Sequence, residues 1–441
     1  MRPFALALGI ALGLGQVQAA DPIPVFVVSM PPLTPTQAVV PVTPQTPLAP
    51  GRPSPDLSEV TQAPTTDFSE SSPGGTEQAA SAAPNMMGDS NGGACGSAMF
   101  QGVLTATLDH PAFFCSQTKI AEDNSPIPQD RVYFNYQHFA SASGLSLTAA
   151  DTGFTVARSL DIDRYTMGVE KTFFDGNASV EVRIPINNQL TNALYFNSDE
   201  NTINSDTTIG LGNIAIALKG IVADWETLRV SAGLLVQLPT IAPVNIHDFE
   251  TGFVNPPTIT GDGVDINNTY RFRFTSVITS PFIGYLYQPD DRFFVQGFEQ
   301  VDIDPNGSYL DIMRNIDGVA LPTTHIRLHE QTLLRTDIGT GYWVYRDPEA
   351  MFLTGVAPIL ELHYTTTLDN AQIGAFQRAP GGNTVMVGNL GNRLDIIDLL
   401  GGVTLKMGES ATLAAGYVVP LSTGMNRPFD YEVNVQLNWK F

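Results

Sequence analysis

The sequence predicts an all-β fold, an antiparallel up-and-down β-barrel of about twelve strands that crosses a membrane, preceded by an export signal and a disordered Pro-rich segment. Three observations predict it. The last thirteen residues alternate strictly between apolar and polar. Short and long connections alternate along the chain. Aromatic residues collect beside the short connections and at the C-terminus.

The elements follow in order. Arg2, the apolar run 4–15 and Val17-Gln18-Ala19 have the layout of an export signal, so residues 1–19 are expected to be a cleaved signal peptide. That run is too short to span a bilayer, and no later apolar stretch is long enough for a transmembrane helix. Residues 20–91 are rich in Pro, Thr, Ser, Ala and Gln. Such a composition buries too little apolar surface to offset the entropy of ordering, so a disordered linker is expected, either a plain tether or a contact to the cell wall. Residues 92–130 form a short lead-in or plug module with both cysteines, Cys95 and Cys115. An exported chain meets oxidising conditions, which favours a disulfide between them.

From Arg131 to Phe441 the chain reads as strands. Tyr165, Met167, Val169 and Phe173 alternate with polar residues, and Asp175-Gly176 then supplies a hairpin turn. Ala178, Val180, Val182, Ile184 and Ile186 continue the alternation. A turn centred there pairs Val169 with Val182 and Met167 with Ile184, so both apolar rows share one face. Further strands are expected near 131–140, 209–220, 227–238, 270–287, 292–303, 331–345, 352–366, 394–407 and 411–421.

Connections near 174–177, 221–226, 288–291, 346–350 and 408–410 are short; those near 141–161, 187–208, 239–269, 304–330, 367–393 and 422–428 take the long places, the last being the exception in length. This is the rhythm of periplasmic turns and extracellular loops, and it requires an even strand number. Trp225, Trp343, Trp439, Phe173, Phe174, Tyr287, Phe293, Phe294, Tyr345, Phe352 and Phe441 all fall at the short-turn side, where they would form one interfacial girdle.

In the final strand Phe429, Tyr431, Val433, Val435, Leu437, Trp439 and Phe441 occupy one face; Asp430, Glu432, Asn434, Gln436, Asn438 and Lys440 occupy the other. An amphipathic strand ending on a terminal aromatic residue resembles the last strand of porin-type outer-membrane proteins. Gln129-Asp-Arg-Val-Tyr-Phe-Asn-Tyr136 also resembles the first barrel strand of barrel proteins from planctomycete-type bacteria. The resemblance covers about 130–441 and implies outer-membrane lipid and the barrel-insertion machinery as partners, the latter recognising the terminal strand. It implies no catalytic residue.

With hydrocarbon outside, the polar faces line the interior. The expected lining is Arg164, Glu170, Glu181, Arg183, Arg229, Arg271, Arg273, Glu299, Arg335, Asp337, Glu361 and Lys406. It serves either as a charged constriction or as an internal ladder of ion pairs. Glu170 and Glu181 would face each other across the hairpin, with Arg183 as neutraliser. Arg271 and Arg273 are a candidate anion-attracting spot. Asp302, Asp304 and Asn306 have the opening spacing of a calcium loop, but Met313 stands where that loop needs Glu, so an acidic turn is expected. His325 and His329 lack a third ligand, and His363 should share the lumen face with Glu361. No metal or other cofactor is expected.

A net charge of −22 is unsuited to nucleic acid, which needs basic patches. No GxSxG, HExxH or P-loop is present, so no enzyme is expected. The expected function is passive passage of small hydrophilic solutes. The alternatives are a closed barrel that anchors or organises the envelope, and a barrel-embedded lipid hydrolase.

Overall fold

The computed structural model describes residues 83–89, 97–100, 104–109, 118–149, 155–197, 202–253, 264–378 and 384–441. The expected signal peptide, nearly all of the Pro-rich segment and the Cys95–Cys115 disulfide lie outside them.

Twelve strands form the wall: β1 (Arg131–Ala149), β2 (Thr155–Phe173), β3 (Ala178–Asn197), β4 (Ile214–Asp224), β5 (Leu228–Leu238), β6 (Ile278–Tyr287), β7 (Phe293–Asp302), β8 (Leu333–Tyr342), β9 (Leu353–Thr367), β10 (Asp395–Met407), β11 (Ala411–Pro420) and β12 (Tyr431–Lys440). Each pairs antiparallel with the next, and β12 pairs with β1, placing Trp439 opposite Val132. The ring is therefore closed and leaves no wall edge unpaired. The expected register of the first hairpin is observed, with Val169 opposite Val182 and Met167 opposite Ile184. Its turn places Phe174, Asp175 and Gly176 at positive φ, which the Asp-Gly pair accommodates.

The apolar row of each strand points outward. Val132, Phe134, Met167, Val169, Ile184, Leu218, Leu234, Ile283, Ile338, Leu360, Leu362, Leu399, Val419 and Leu437 are all exposed. A water-soluble protein would bury such a belt; hydrocarbon is the medium that suits it. The partner faces turn inward: Glu432, Asn434, Gln436 and Asn438 of β12 are buried.

At the long-loop end the sheet continues past the belt through Thr202–Leu211, Val244–Phe253, Val264–Arg273, Ser308–Met313, Thr324–Leu328 and Thr384–Gly388. Here the polarity inverts. Leu194, Val244, Ile246, Tyr270, Phe272, Leu310, Ile312, Leu328, Val385 and Val387 form a buried core. Arg271 and Arg273 lie on the opposite side of their strand, which corrects their expected lumen position. The expected strand 270–287 is in fact two, because residues 274–277 separate an extension strand from β6. On the first of these the outside is water, so its apolar residues point in.

A bulge between Phe139 and Ser143, with Ser141 at positive φ, shifts which β1 residues face inward. Phe139 and Ala142 are both buried. Opposite them Phe429 precedes β12 and turns inside, its ring centroid 5.6 Å from that of Phe139. It therefore does not belong to the outer row of the terminal strand. The girdle needs a similar correction. Trp225, Trp439, Phe174, Phe352 and Phe441 are exposed, but Trp343 is 4% exposed and Phe294 1%. Both face the lumen, Phe294 over Gly341 and Trp343 over Gly355, where a Cβ would clash with either ring.

Leu360→Lys is expected to destabilise folding into lipid vesicles by about 2–4 kcal/mol. Arg271→Leu, in the water-facing extension, should change it by less than about 0.5 kcal/mol. Equilibrium denaturant titration in vesicles measures both.

Candidate functional site

The lumen is filled by the chain itself. Two limbs, Ala83–Asp89 and Thr118–Asp130, occupy it and meet in an antiparallel bridge between Met86 and Asn124. Asn85 donates to Asn438 near the end of β12 (3.1 Å), and Asp89 sits higher, against Lys119. Thr118 N–H donates to Gln237 at the far end of β5 (2.7 Å), and Gln129 N–H to Glu170 (3.3 Å). The first limb therefore runs away from the short turns and the second returns to Arg131. Plugging is thus achieved partly by residues expected to be linker. Ala83–Asp89 is buried: its backbone donors meet Glu361, and Ala83, Met86 and Met87 pack against the inner wall.

Near the short turns the wall charges pair with one another and with the second limb. Arg131 Nε donates to Glu170 Oε2 (2.9 Å), Nη2 to Glu181 Oε1 (3.1 Å) and Nη1 to Asn438 Oδ1 (2.7 Å). Lys219 Nζ lies 3.0 Å from Glu170 and donates to the Ser125 carbonyl (2.6 Å). Arg183 binds Glu181 and donates to the carbonyls of Lys119 and Ile120 (2.9 and 3.1 Å). Tyr133 Oη donates to Glu181 (2.7 Å), its ring lying across Gly168. Three cations thus meet Glu170, Glu181 and the limb's Asp123, whose carboxyl burial pushes above the ordinary range despite Arg131.

Further up, acids prevail. Glu361 accepts the N–H groups of Met87 (2.9 Å) and Gly88 (2.8 Å). Lys119 Nζ lies 2.5 Å from Asp89, and His363 Nδ1 lies 2.8 Å from Asp337 and 3.2 Å from Asp89. Burial opposes ionisation of Asp89, but Lys119 and His363 outweigh it and hold its pKa below the ordinary carboxylate range. Arg335 pairs with Asp302 at 2.5 Å. The limb also has an apolar anchor. Gly402 and Gly416 face each other on β10 and β11, and Met87 Sδ fills the hollow.

Of the expected lining, Glu170, Glu181, Arg183, Arg335, Asp337 and Glu361 are buried in the lumen. Arg164 also faces in, Nη1 lying 3.9 Å from Glu122. Arg229 is at the short-turn rim, paired with Asp224, and Lys406 stands near that rim. Glu299 is a correction. β7 turns Phe294, Gln296, Phe298, Gln300 and Asp302 inward, so Glu299 faces out and accepts from Thr336 Oγ1 (2.6 Å). The calcium spacing does not assemble. Asp302 serves Arg335 inside, while Asp304 caps a turn through the N–H groups of Asn306 and Gly307. His325 bonds Asp311 (2.7 Å) and His329 the Asp304 carbonyl (3.4 Å), so they share no ligand. Arg131, Lys219, Asp398 and the limb residues Asp89, Lys119 and Asp123 were absent from the expected set. For Lys219 a signal existed: Ala215 and Ala217 precede it at alternate positions on the inward face.

The geometry defines a transmembrane-type β-barrel with an internal plug. No protein-family model and no curated protein matches the sequence. Among solved structures the chain is similar to an outer membrane channel from Pseudomonas putida F1 (TM-score 0.40, 10% identity, 72% of this chain and 96% of that one). It is also similar to the translocator domain of the autotransporter NalP from Neisseria meningitidis (0.35, 9%, 71% and 89%) and to the toluene transporter TbuX from Ralstonia pickettii (0.33, 9%, 72% and 92%). At these scores neither transport nor secretion passes from those proteins to this one, and the planctomycete-type resemblance gains no support.

A Cβ at Gly416 would lie 2.8 Å from Met87 Sδ, whereas nothing lies within 4 Å of one at Gly401. Gly416→Val is expected to displace the first limb and open Lys119 to trypsin; Gly401→Val should leave it protected. Arg131→Met strands Glu170 and Glu181, and should cost about 3–5 kcal/mol in a denaturant titration.

Proposed function

We propose that the protein is an outer-membrane channel for small hydrophilic solutes that rests closed, its own N-terminal limbs filling the passage. One observation carries this. The limbs are held largely by hydrogen bonds and ion pairs to wall side chains, such as Glu361 to Met87 and Gly88 and Arg183 to Lys119 and Ile120. Water can replace each of these, and apolar packing of the same volume would shut a barrel at least as stably. A wall meant only to be solid has no need of them. With the limbs displaced, a polar path lined by charges of both signs connects the two ends, and twelve strands keep it narrow. Glu170, Glu181, Asp302, Asp337, Glu361, Asp398 and Glu432 outnumber Arg131, Arg164, Arg183, Lys219 and Arg335 on that wall, which favours cations.

The second reading is a permanently closed barrel that anchors or organises the envelope. The depth of the fill favours it: Met86, Met87, Lys119 and Arg131 have no exposed surface.

Planar-bilayer recording separates the two. The wild type should be mostly shut, and a variant with a loosened limb, Glu361→Ala or Gly416→Val, should conduct in discrete cation-selective steps. Silence in every variant that inserts overturns the channel in favour of the anchor.

A further inference from the structure

The acidic cluster high in the lumen is not balanced by its own surroundings. Asp89, Asp337, Glu361 and Asp398 are buried together with one ammonium, Lys119, and one imidazole, His363. Four carboxyl groups thus share two basic groups. Buried acids in that ratio are unfavourable unless they share protons or gain a cation. Asp337 Oδ2 is buried without a hydrogen-bond partner, and the buried carboxyl groups of Asp89 and Asp398 meet each other. Ligand atoms of Asp89, Asp337 and His363 all lie within 4.8 Å of one another. A single ion about 2.1 Å from each atom accounts for nearly all of that span.

We propose that Asp89, Asp337 and His363 form a divalent-cation site that staples the first lumen limb to strands β8 and β9. Two carboxylates and an imidazole make a mixed oxygen and nitrogen set, which suits Mn2+ or Zn2+ and not Ca2+. His363 is arranged as such a ligand should be. Its Nδ1 is hydrogen-bonded to Asp337 Oδ1 (2.8 Å) and lies 3.2 Å from Asp89 Oδ1, so an ion held there would take the place of the Nδ1 proton; Nε2 lies 3.2 Å from Glu361 Oε2 on the other side of the ring. Lys119 already binds Asp89 Oδ1 and would flank the ion. Asp398 stands beside Asp89 as an outer acid. Since Asp89 comes from the limb and the other two ligands from the wall, the ion would close the barrel only while the limb is in place.

The site rests on this geometry alone, and its test needs no conductance. Full-length protein folded in detergent with Zn2+ or Mn2+ and then dialysed should retain about one ion per chain by elemental mass spectrometry. X-ray absorption should show an oxygen and nitrogen shell with one imidazole. Asp337→Asn and His363→Gln should each weaken retention at least tenfold, and Glu361→Gln, acting through His363, about tenfold. Wild-type protein that keeps neither ion overturns the proposal, as does retention undiminished in both ligand variants. The wild-type measurement decides the matter even where a variant fails to fold. A chain that holds the ion yet never conducts keeps this site and overturns only the channel.

Discussion

Glu170 and Glu181 stand opposite each other on adjacent strands, and nearly everything at the short-turn end follows from the need to neutralise them. Two facing carboxylates without water are prohibitive unless cations converge on them. Arg131 meets both, Lys219 meets Glu170, and Arg183 meets Glu181. These residues come from β1, β2, β3 and β4, so one ion network ties four successive strands. Arg131 is also where the second limb becomes the wall. Neutralising the pair and seating the plug are therefore one structural event, and the limb's Asn124 and Ser125 complete the shell around Lys219.

The second organising constraint is the change of solvent along the barrel axis. Inside the belt, hydrocarbon forces apolar side chains outward and polar ones inward; past it, water reverses the preference. The strands obey both rules without breaking. In β1 the bulge near Ser141 makes the change of facing that the new surroundings require, and Ser141 N–H is bonded to Asp161 Oδ1 at 2.9 Å. Val264–Arg273 lies wholly in the second zone, which is why Tyr270 and Phe272 are core and Arg271 is surface.

Much of the wall was legible because period-two alternation records which side of a strand meets lipid. Hence the hairpin register of β2 and β3, the polar row of β12 and the even strand number could be read directly. What alternation cannot record is which solvent lies outside, so Arg271 and Arg273 were assigned by a rule that holds only within the belt. Nor does it fix a strand whose two faces are similar. β7 carries Val295, Gly297 and Val301 on one side and Phe294 and Phe298 on the other, and Glu299 was misplaced on that ambiguity. The plug was harder still. Ala83–Asp89 has no periodicity, and its order comes from long-range partners such as Glu361 and the Gly402–Gly416 hollow.

Those partners show why a separate limb is needed at all. The wall's inward residues at β10 and β11 include Gly402, Ala414 and Gly416, too small to meet across a twelve-strand ring. Elsewhere the wall places large rings over its own glycines, as Tyr133 does over Gly168 and Trp343 over Gly355. At Gly402 and Gly416 the filling side chain, Met87, comes instead from the first limb. An unbranched thioether suits such an irregular hollow, since it packs well without locking into one shape. Small wall residues under the limb, and polar wall residues holding its backbone, together make a surface that is complete only with the limb in place.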